Sequence, residues 1–436
     1  MISRQDPWSE ALLALRYLLT AQLFFLIWPA LQWSAAGELV GFPYSPRLLA
    51  LTHLFTLGWA MLTCLGVLSQ LLPVLLQTPL RDRHLLDWGF WPMVAGIAIF
   101  CAGFYWSSSP VLIGGSALLT VGLLGALWSL GRTILAARRW SAPLCGIALS
   151  LLALLMVLIV GVLLVLSRRW GVLNSLGLYG LLGHAHLGLV GWFTVLTVSI
   201  SYQLFPMFTL SHGYTCRWGA LAVGGFSLVA YGSWIAIWAG ANRAALMPLA
   251  LIALFAGLLW LLDLRGILRH RVRQRIELAI QVGLGAALLL IGTSVWALLG
   301  LLGWPILAAG KHVQIEIMLG LYGWIGLMIV AMLHKILPFL IWLLRSNPSG
   351  GPAAVVARDL FNQPLMRVSV LAPLAGALVT ILGVGSGSEG LVRAGAVLLE
   401  VAALGLLANS ARALLVRPAA QRQQTGTREG ATASRR

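Results

Sequence analysis

Gly183-His184-Ala185-His186-Leu187-Gly188-Leu189-Val190-Gly191-Trp192 sits inside an apolar run, Leu176 to Phe208, that contains no acid, lysine or arginine. Histidine is costly to place in lipid, and in such a run it ordinarily faces a cavity, a partner or a metal. Residues two apart on a helix of 3.6 residues per turn are rotated by about 200°. His184 and His186 therefore point to opposite sides, so the pair is expected to serve two sites rather than to chelate one ion.

The pattern recurs on both sides of this stretch. His53 is followed by Gly58-Trp59 and Pro73, His186 by Gly191-Trp192 and Pro206, and Met318 by Gly323-Trp324 and Pro338, at identical spacings. The register residue repeats after 133 and then 132 residues, and eleven residues past each Trp stands a polar group: Gln70, Gln203 or Lys335. Such a period marks an internal repeat, here threefold.

Composition places the repeat in a membrane. Of 436 residues, 60% are hydrophobic and 9% charged. Runs near 20 apolar residues are long enough to cross a bilayer core. Twelve are present, at about 11–33, 48–76, 88–106, 110–136, 143–166, 176–208, 217–239, 246–268, 276–302, 312–344, 368–386 and 390–415. The expected fold is an all-α integral membrane protein of twelve transmembrane helices in three four-helix pseudo-repeats. It forms one domain, 1–416, with repeats at about 1–140, 141–270 and 271–416. Residues 417–436 are polar and Arg-rich with almost no large apolar groups, and are expected to form a disordered cytoplasmic tail. Ser346 to Pro364, rich in Gly and Pro, reads as an irregular loop, and Met1 to Glu10 carries no cleavable signal pattern.

The net charge of +17 does not imply nucleic acid, because the basic residues fall between apolar runs. Loops after the even-numbered runs hold fourteen, from Arg81 and Arg83 through Arg138, Arg139, Arg217 and the Arg265–Arg275 group to Arg367; the opposite loops hold six, namely Arg47, Arg168, Arg169, Arg243, Lys311 and Arg393. The positive-inside rule then puts both termini in the cytoplasm of a bacterial-type inner membrane. His53, His184 and His186 fall in the outer halves of their helices. The four cysteines form no Cys-x-x-Cys pair and support neither a disulfide framework nor a metal cluster.

Gly-His-x-His-x-Gly-x-x-Gly-Trp, followed by Tyr202 and Pro206, resembles the haem-ligating helix of haem–copper oxidase catalytic subunits, most closely the cbb-type. The resemblance implies a twelve-helix ring and b-type haem. By position, His184 matches the ligand of a high-spin haem, and His186 that of a low-spin haem shared with His53 on the second helix. It also implies an electron-donor cytochrome subunit as partner; a homo-oligomer stays open. Two features depart from the oxidase pattern. The double-His motif lies on the sixth helix rather than the tenth, and the seventh has no adjacent His pair to bind copper. The chain is in this respect similar to the divergent NnrS-like branch, which implies electron transfer or the binding or reduction of a diatomic gas, NO or O2, without an intact oxidase copper site. Whether it is an oxidoreductase of the cytochrome oxidase or nitric oxide reductase kind is left open.

The remaining polar groups have competing readings. His312 and Glu316 are candidates for a second metal, copper or another. A solvated helix start competes for His312, and a pairing with Lys311 or His312 for Glu316. His334 lies about 24 Å inward of the register of His186 at 1.5 Å per residue, where with Lys335 it fits a cytoplasmic proton path or simple packing. His84, His212 and His270 read as solvated loop residues. Trp59, Trp192 and Trp324 read as packing anchors. Arg47, Arg168 and Arg169 suit haem carboxylates electrostatically. A copper or small-solute transporter using His53, His184, His186, Met318, Met328 and Met332 as soft ligands is the alternative function, with a cofactor-free membrane scaffold as a third.

Overall fold

Backbone polar groups inside lipid must be satisfied within the chain, so apolar runs of this length become helices. The computed structural model describes residues 7–41, 44–171, 177–211, 213–303, 309–345 and 360–415. It contains twelve helices long and apolar enough to span a membrane. They are span 1 (Ser9–Ser34), span 2 (Pro46–Leu76), span 3 (Arg83–Tyr105), span 4 (Ser109–Leu135), span 5 (Ala142–Trp170), span 6 (Gly177–Thr209), span 7 (Gly219–Trp238), span 8 (Arg243–Arg269), span 9 (Leu278–Leu301), span 10 (Gly310–Arg345), span 11 (Gln363–Ser386) and span 12 (Glu389–Leu415). The protein is an all-α, multi-pass membrane protein, and each end falls within about five residues of the limit expected from hydropathy. No strand occurs among the described residues, only an isolated bridge between Ser211 and Arg271. Residue 212, most of the 346–364 loop and the 417–436 tail lie outside the described residues.

Neighbours in sequence pair along the chain: span 3 with 4, span 7 with 8, and span 11 with 12. Span 1 packs on spans 2, 10 and 12, bringing the two ends of the chain together. Spans 2 and 10 are the most buried of the twelve.

Spans 2, 6 and 10 share a further feature. Each changes from α to π winding for eight residues, Leu54–Met61, Leu187–Thr194 and Leu319–Gly326. The change begins at the residue after His53, His186 and Met318 respectively. In span 6 the Thr194 hydroxyl donates to the carbonyl five residues back, Leu189, at 2.9 Å. π segments are rare, and they concentrate at functional sites because they widen the helix and re-aim side chains. The repeated Trp residues fall within them and are buried. Trp59 stacks on Phe25 with ring centres 4.0 Å apart. The Trp324 indole N–H donates to the Thr194 hydroxyl at 3.0 Å, joining spans 10 and 6. Packing is thus the observed role of all three, although Trp192 and Trp324 also border the central cavity.

Candidate functional site: a histidine-lined cavity among spans 2 to 10

A cavity of about 1200 Å³ lies among spans 2 to 10 and is lined by His53, His184, His186, His312, Glu316 and Met318 together with many apolar side chains. Ordinary small-ligand pockets run about 300–1,000 Å³, so this one has room for a large cofactor.

His53 lies seven residues into span 2, or about 10 Å along the helix axis, and His184 of span 6 stands beside it. Ser45 caps the start of span 2 by accepting from the Leu48 N–H at 3.2 Å, with Pro46 in the first turn. This fixes where His53 falls. Its Nδ1–H donates to the Leu49 carbonyl at 2.7 Å, which sets the tautomer and leaves Nε2 as the free lone pair. Phe104 stacks on its ring at 5.2 Å, and Phe100 meets it edge-on at 5.3 Å. The His184 ring lies beyond, with centres 6.3 Å apart and planes 33° apart.

His184 reaches this position because span 5 has a glycine opposite it: a Cβ on Gly161 would come 3.1 Å from the imidazole Cε1. Gly183 plays the same part toward span 7, where a Cβ would fall 2.4 Å from Trp238 Nε1. These two close approaches fix the rotation of span 6. His184 then faces spans 2 and 5, near the Val157 carbonyl, while His186 faces span 7 near the carbonyl of Val229. The two histidines do meet different neighbours. The ring that approaches His53 belongs to His184, whereas the resemblance implies His186 as its partner. Spacing gave the two faces of the helix, and the packing of glycines decided which face turned toward span 2.

Both span 6 histidines carry orphaned nitrogens. His184 Nδ1 and His186 Nε2 are buried without a hydrogen-bond partner. Buried polar atoms are normally satisfied; His184 Nδ1 lies on the Gly161 side of its ring, against span 5, and both nitrogens are available to a ligand.

His312 is buried rather than solvated, which corrects the wet helix start. It stacks on Trp296 with ring centres 4.6 Å apart, its Nε2 pairs with the Trp296 carbonyl at 3.0 Å, and the Trp296 indole donates to the His312 carbonyl at 3.0 Å. Only its Nδ1 remains for a metal. Glu316 lines the cavity and makes no hydrogen bond or ion pair among the described residues, so the alternative pairing with Lys311 or His312 is absent. No group of three or more His, Cys, Asp or Glu converges among the described residues.

His334 is elsewhere. Its Nδ1 bonds the Val330 carbonyl and its Nε2 the Ser369 hydroxyl, both at 2.7 Å, so it ties span 10 to span 11 with both nitrogens occupied. Lys335 pairs with Glu277. His84 is exposed in the first turn of span 3, and His270 is exposed at the end of span 8. Among the outer cations, Arg168 borders the cavity with its guanidinium 5.5 Å from the Phe104 ring centre, whereas Arg47 is taken by Glu38 at 3.2 Å. Met318 lines the cavity, but Met328 and Met332 do not; they pack against Gly283 of span 9.

Phe100 and Phe104 were not singled out in the sequence, although their spacing of four puts them on one helical face. Asp263 was also missed. It is the one acid within span 8, and an acid in a span is itself a signal. Fully buried, it accepts from the Tyr202 and Tyr214 hydroxyls at 3.1 and 3.0 Å and from the backbone N–H groups of Arg217 and Trp218, both at 3.1 Å. It locks the ends of spans 6, 7 and 8 together, away from the histidines.

A scan against protein-family models finds no match to this chain, and a search of curated proteins finds no similar sequence.

Proposed function

We propose that this protein holds b-type haem in the cavity, with His53 and His184 on opposite sides of one iron, and that it works in electron transfer or in binding a diatomic gas. The observation that carries this reading is the 6.3 Å between the two ring centres. An imidazole nitrogen sits about 2.0–2.1 Å from a first-row metal and about 1.1 Å from its own ring centre, so two imidazoles facing across one ion place their centres about 6.3 Å apart. The protonated Nδ1 of His53 on the Leu49 carbonyl is the outer-shell arrangement that orients a metal-binding imidazole. When bound, a haem with two imidazoles supplies a reversible one-electron couple.

The surrounding residues supply the rest. Phe100 and Phe104 keep water from His53, and Arg168 offers a cation at the rim for a carboxylate. His186 presents its unpartnered Nε2 on the other side of span 6. A single imidazole ligand leaves the opposite face of an iron open to a gas, so His186 takes the role first assigned to His184. The three π segments in one register support a threefold repeat as the origin of this arrangement. The transporter reading is weakened by Met328 and Met332, which lie off the cavity wall and break the proposed ligand path. The test is the absorption spectrum of the purified protein after reduction with dithionite. Sharp α and β bands of a low-spin haem are expected, and their absence from protein grown with ample haem rejects the reading.

A further inference from the structure

We infer that the basic pocket where spans 6 and 8 end and span 7 begins binds the phosphate of an anionic phospholipid headgroup. The pocket has a volume of about 490 Å³ and is lined by Arg217, Arg265, Arg269, His270, Tyr214 and Trp218, with Leu262 on one wall. None of the three guanidinium groups makes a hydrogen bond or ion pair among the described residues. Their neighbours differ. Arg271 donates to the Leu268 and Gln274 carbonyls, and Arg273 pairs with Glu277. Arg265 and Arg269 stand one turn apart on one face of span 8, and Arg217 converges on them from the loop before span 7. Three like charges around one concavity repel unless an anion joins them.

The adjacent acid offsets at most one of the three charges from within. Asp263 lies beneath the pocket with both oxygens already engaged by four donors. Three of those donors, the Tyr214 hydroxyl and the Arg217 and Trp218 N–H groups, belong to pocket residues. The floor is therefore held in place before any ligand arrives, which lowers the ordering cost of binding.

The chemistry of the lining points to a lipid rather than a free anion. Guanidinium groups match phosphate oxygens in bidentate geometry. Trp218 and Leu262 are 39% and 49% exposed beside them, so an apolar wall adjoins the cations at the end of the spans. A headgroup with its acyl chains satisfies both parts at once, whereas inorganic phosphate uses only the arginines. Basic pockets between transmembrane helices at the cytoplasmic surface hold anionic headgroups on this principle.

The experiment uses full-length protein in phosphatidylcholine nanodiscs carrying a minor fraction of phosphatidylglycerol, with bound lipid counted by native mass spectrometry. Wild type is expected to retain phosphatidylglycerol selectively. Arg265→Gln/Arg269→Gln is expected to weaken that retention about tenfold or more, since each interfacial cation contributes roughly a fivefold factor. Arg138→Gln/Arg139→Gln removes the same charge from another loop of this face and is expected to leave retention unchanged. Arg217→Gln, on a separate segment, is expected to weaken it in the same direction, and decides the matter should the double variant misfold. Equal loss in the Arg138/Arg139 control overturns the site in favour of a diffuse surface effect. Displacement of the lipid by equimolar inorganic phosphate overturns the lipid assignment in favour of a small-anion site.

Discussion

The imidazole rings of His53 and His184 approach to 6.3 Å between centres across the boundary of spans 2 and 6, and no hydrogen bond joins them. Two imidazoles that face one metal ion from opposite sides have their centres about 6.3 Å apart. His186, two residues further along, meets span 7 instead.

The first prediction follows from that pairing. His53→Ala and His184→Ala should each abolish a low-spin b-type haem spectrum. His186→Ala should keep that spectrum and lose carbon monoxide binding to the reduced protein. His334→Ala should change neither, because both its nitrogens are committed to Val330 and Ser369. Identical spectra and haem content in all four variants would remove the assignment.

Oxygen consumption should be slight. Rapid four-electron reduction in haem–copper oxidases uses a copper held by several imidazoles. Span 7 contains no histidine at all, and the Nε2 of His312 is engaged by Trp296. A mixed site from His312 Nδ1, Glu316 and Met318 has no marked preference for copper. An oxygen electrode reading of hundreds of turnovers per second, with stoichiometric copper, would contradict this.

Asp263→Asn should destabilise the protein by about 2–4 kcal/mol, since hydrogen bonds to a buried charged acceptor are each worth about 1.5–3 kcal/mol and an amide replaces only part of them. The expected readout is a lower thermal midpoint in detergent with unchanged haem content per folded protein. Loss of haem before loss of helicity would show that the Asp263 lock reaches the cavity.

Alkaline pH should act on the same corner. Burial, with the Asp263 hydrogen bond and charge added to it, pushes the Tyr214 hydroxyl up to about 12; burial and then the Asp263 charge push the Cys216 thiol up to about 11. Raised values mean that the folded state favours the protonated forms. The stabilisation is complete below the ordinary values of about 9 for the thiol and 10 for the phenol, and it is lost as pH rises through the folded ones. Iodoacetamide should therefore label Cys216 slowly at pH 8 and progressively faster toward pH 11. A labelling midpoint near pH 9, the ordinary thiol value, would refute the assignment.

Orientation should follow the basic loops. Single cysteines placed at Arg139 and Arg269 should resist a membrane-impermeant maleimide in whole cells and react after permeabilisation, because both belong to the loops holding fourteen of the cations. Labelling of the Arg269 site from outside would invert the orientation and put the cavity histidines near the cytoplasm.

Much of the fold was legible in the sequence because lipid admits so few solutions. An apolar run of about 20 residues has to be a helix, so the twelve spans and most of their limits followed from hydropathy alone. The register shared by His53, His186 and Met318 singled out spans 2, 6 and 10, and the structure places a π segment directly after each of these residues. Rotation by about 200° also separated His184 from His186 onto different faces. What one-dimensional spacing could not supply was the rotation of each helix about its own axis. That is set by side-chain contact, here by Gly161 and Gly183 allowing span 6 to settle against spans 5 and 7. Only the tertiary structure could therefore give His184, rather than His186, to His53. It likewise buried His312 against Trp296, took Met328 and Met332 off the cavity wall, and gathered four donors from one loop and a span onto Asp263. Those outcomes depend on residues far apart in sequence meeting at atomic distance, where close packing rather than local pattern decides which side chain faces which.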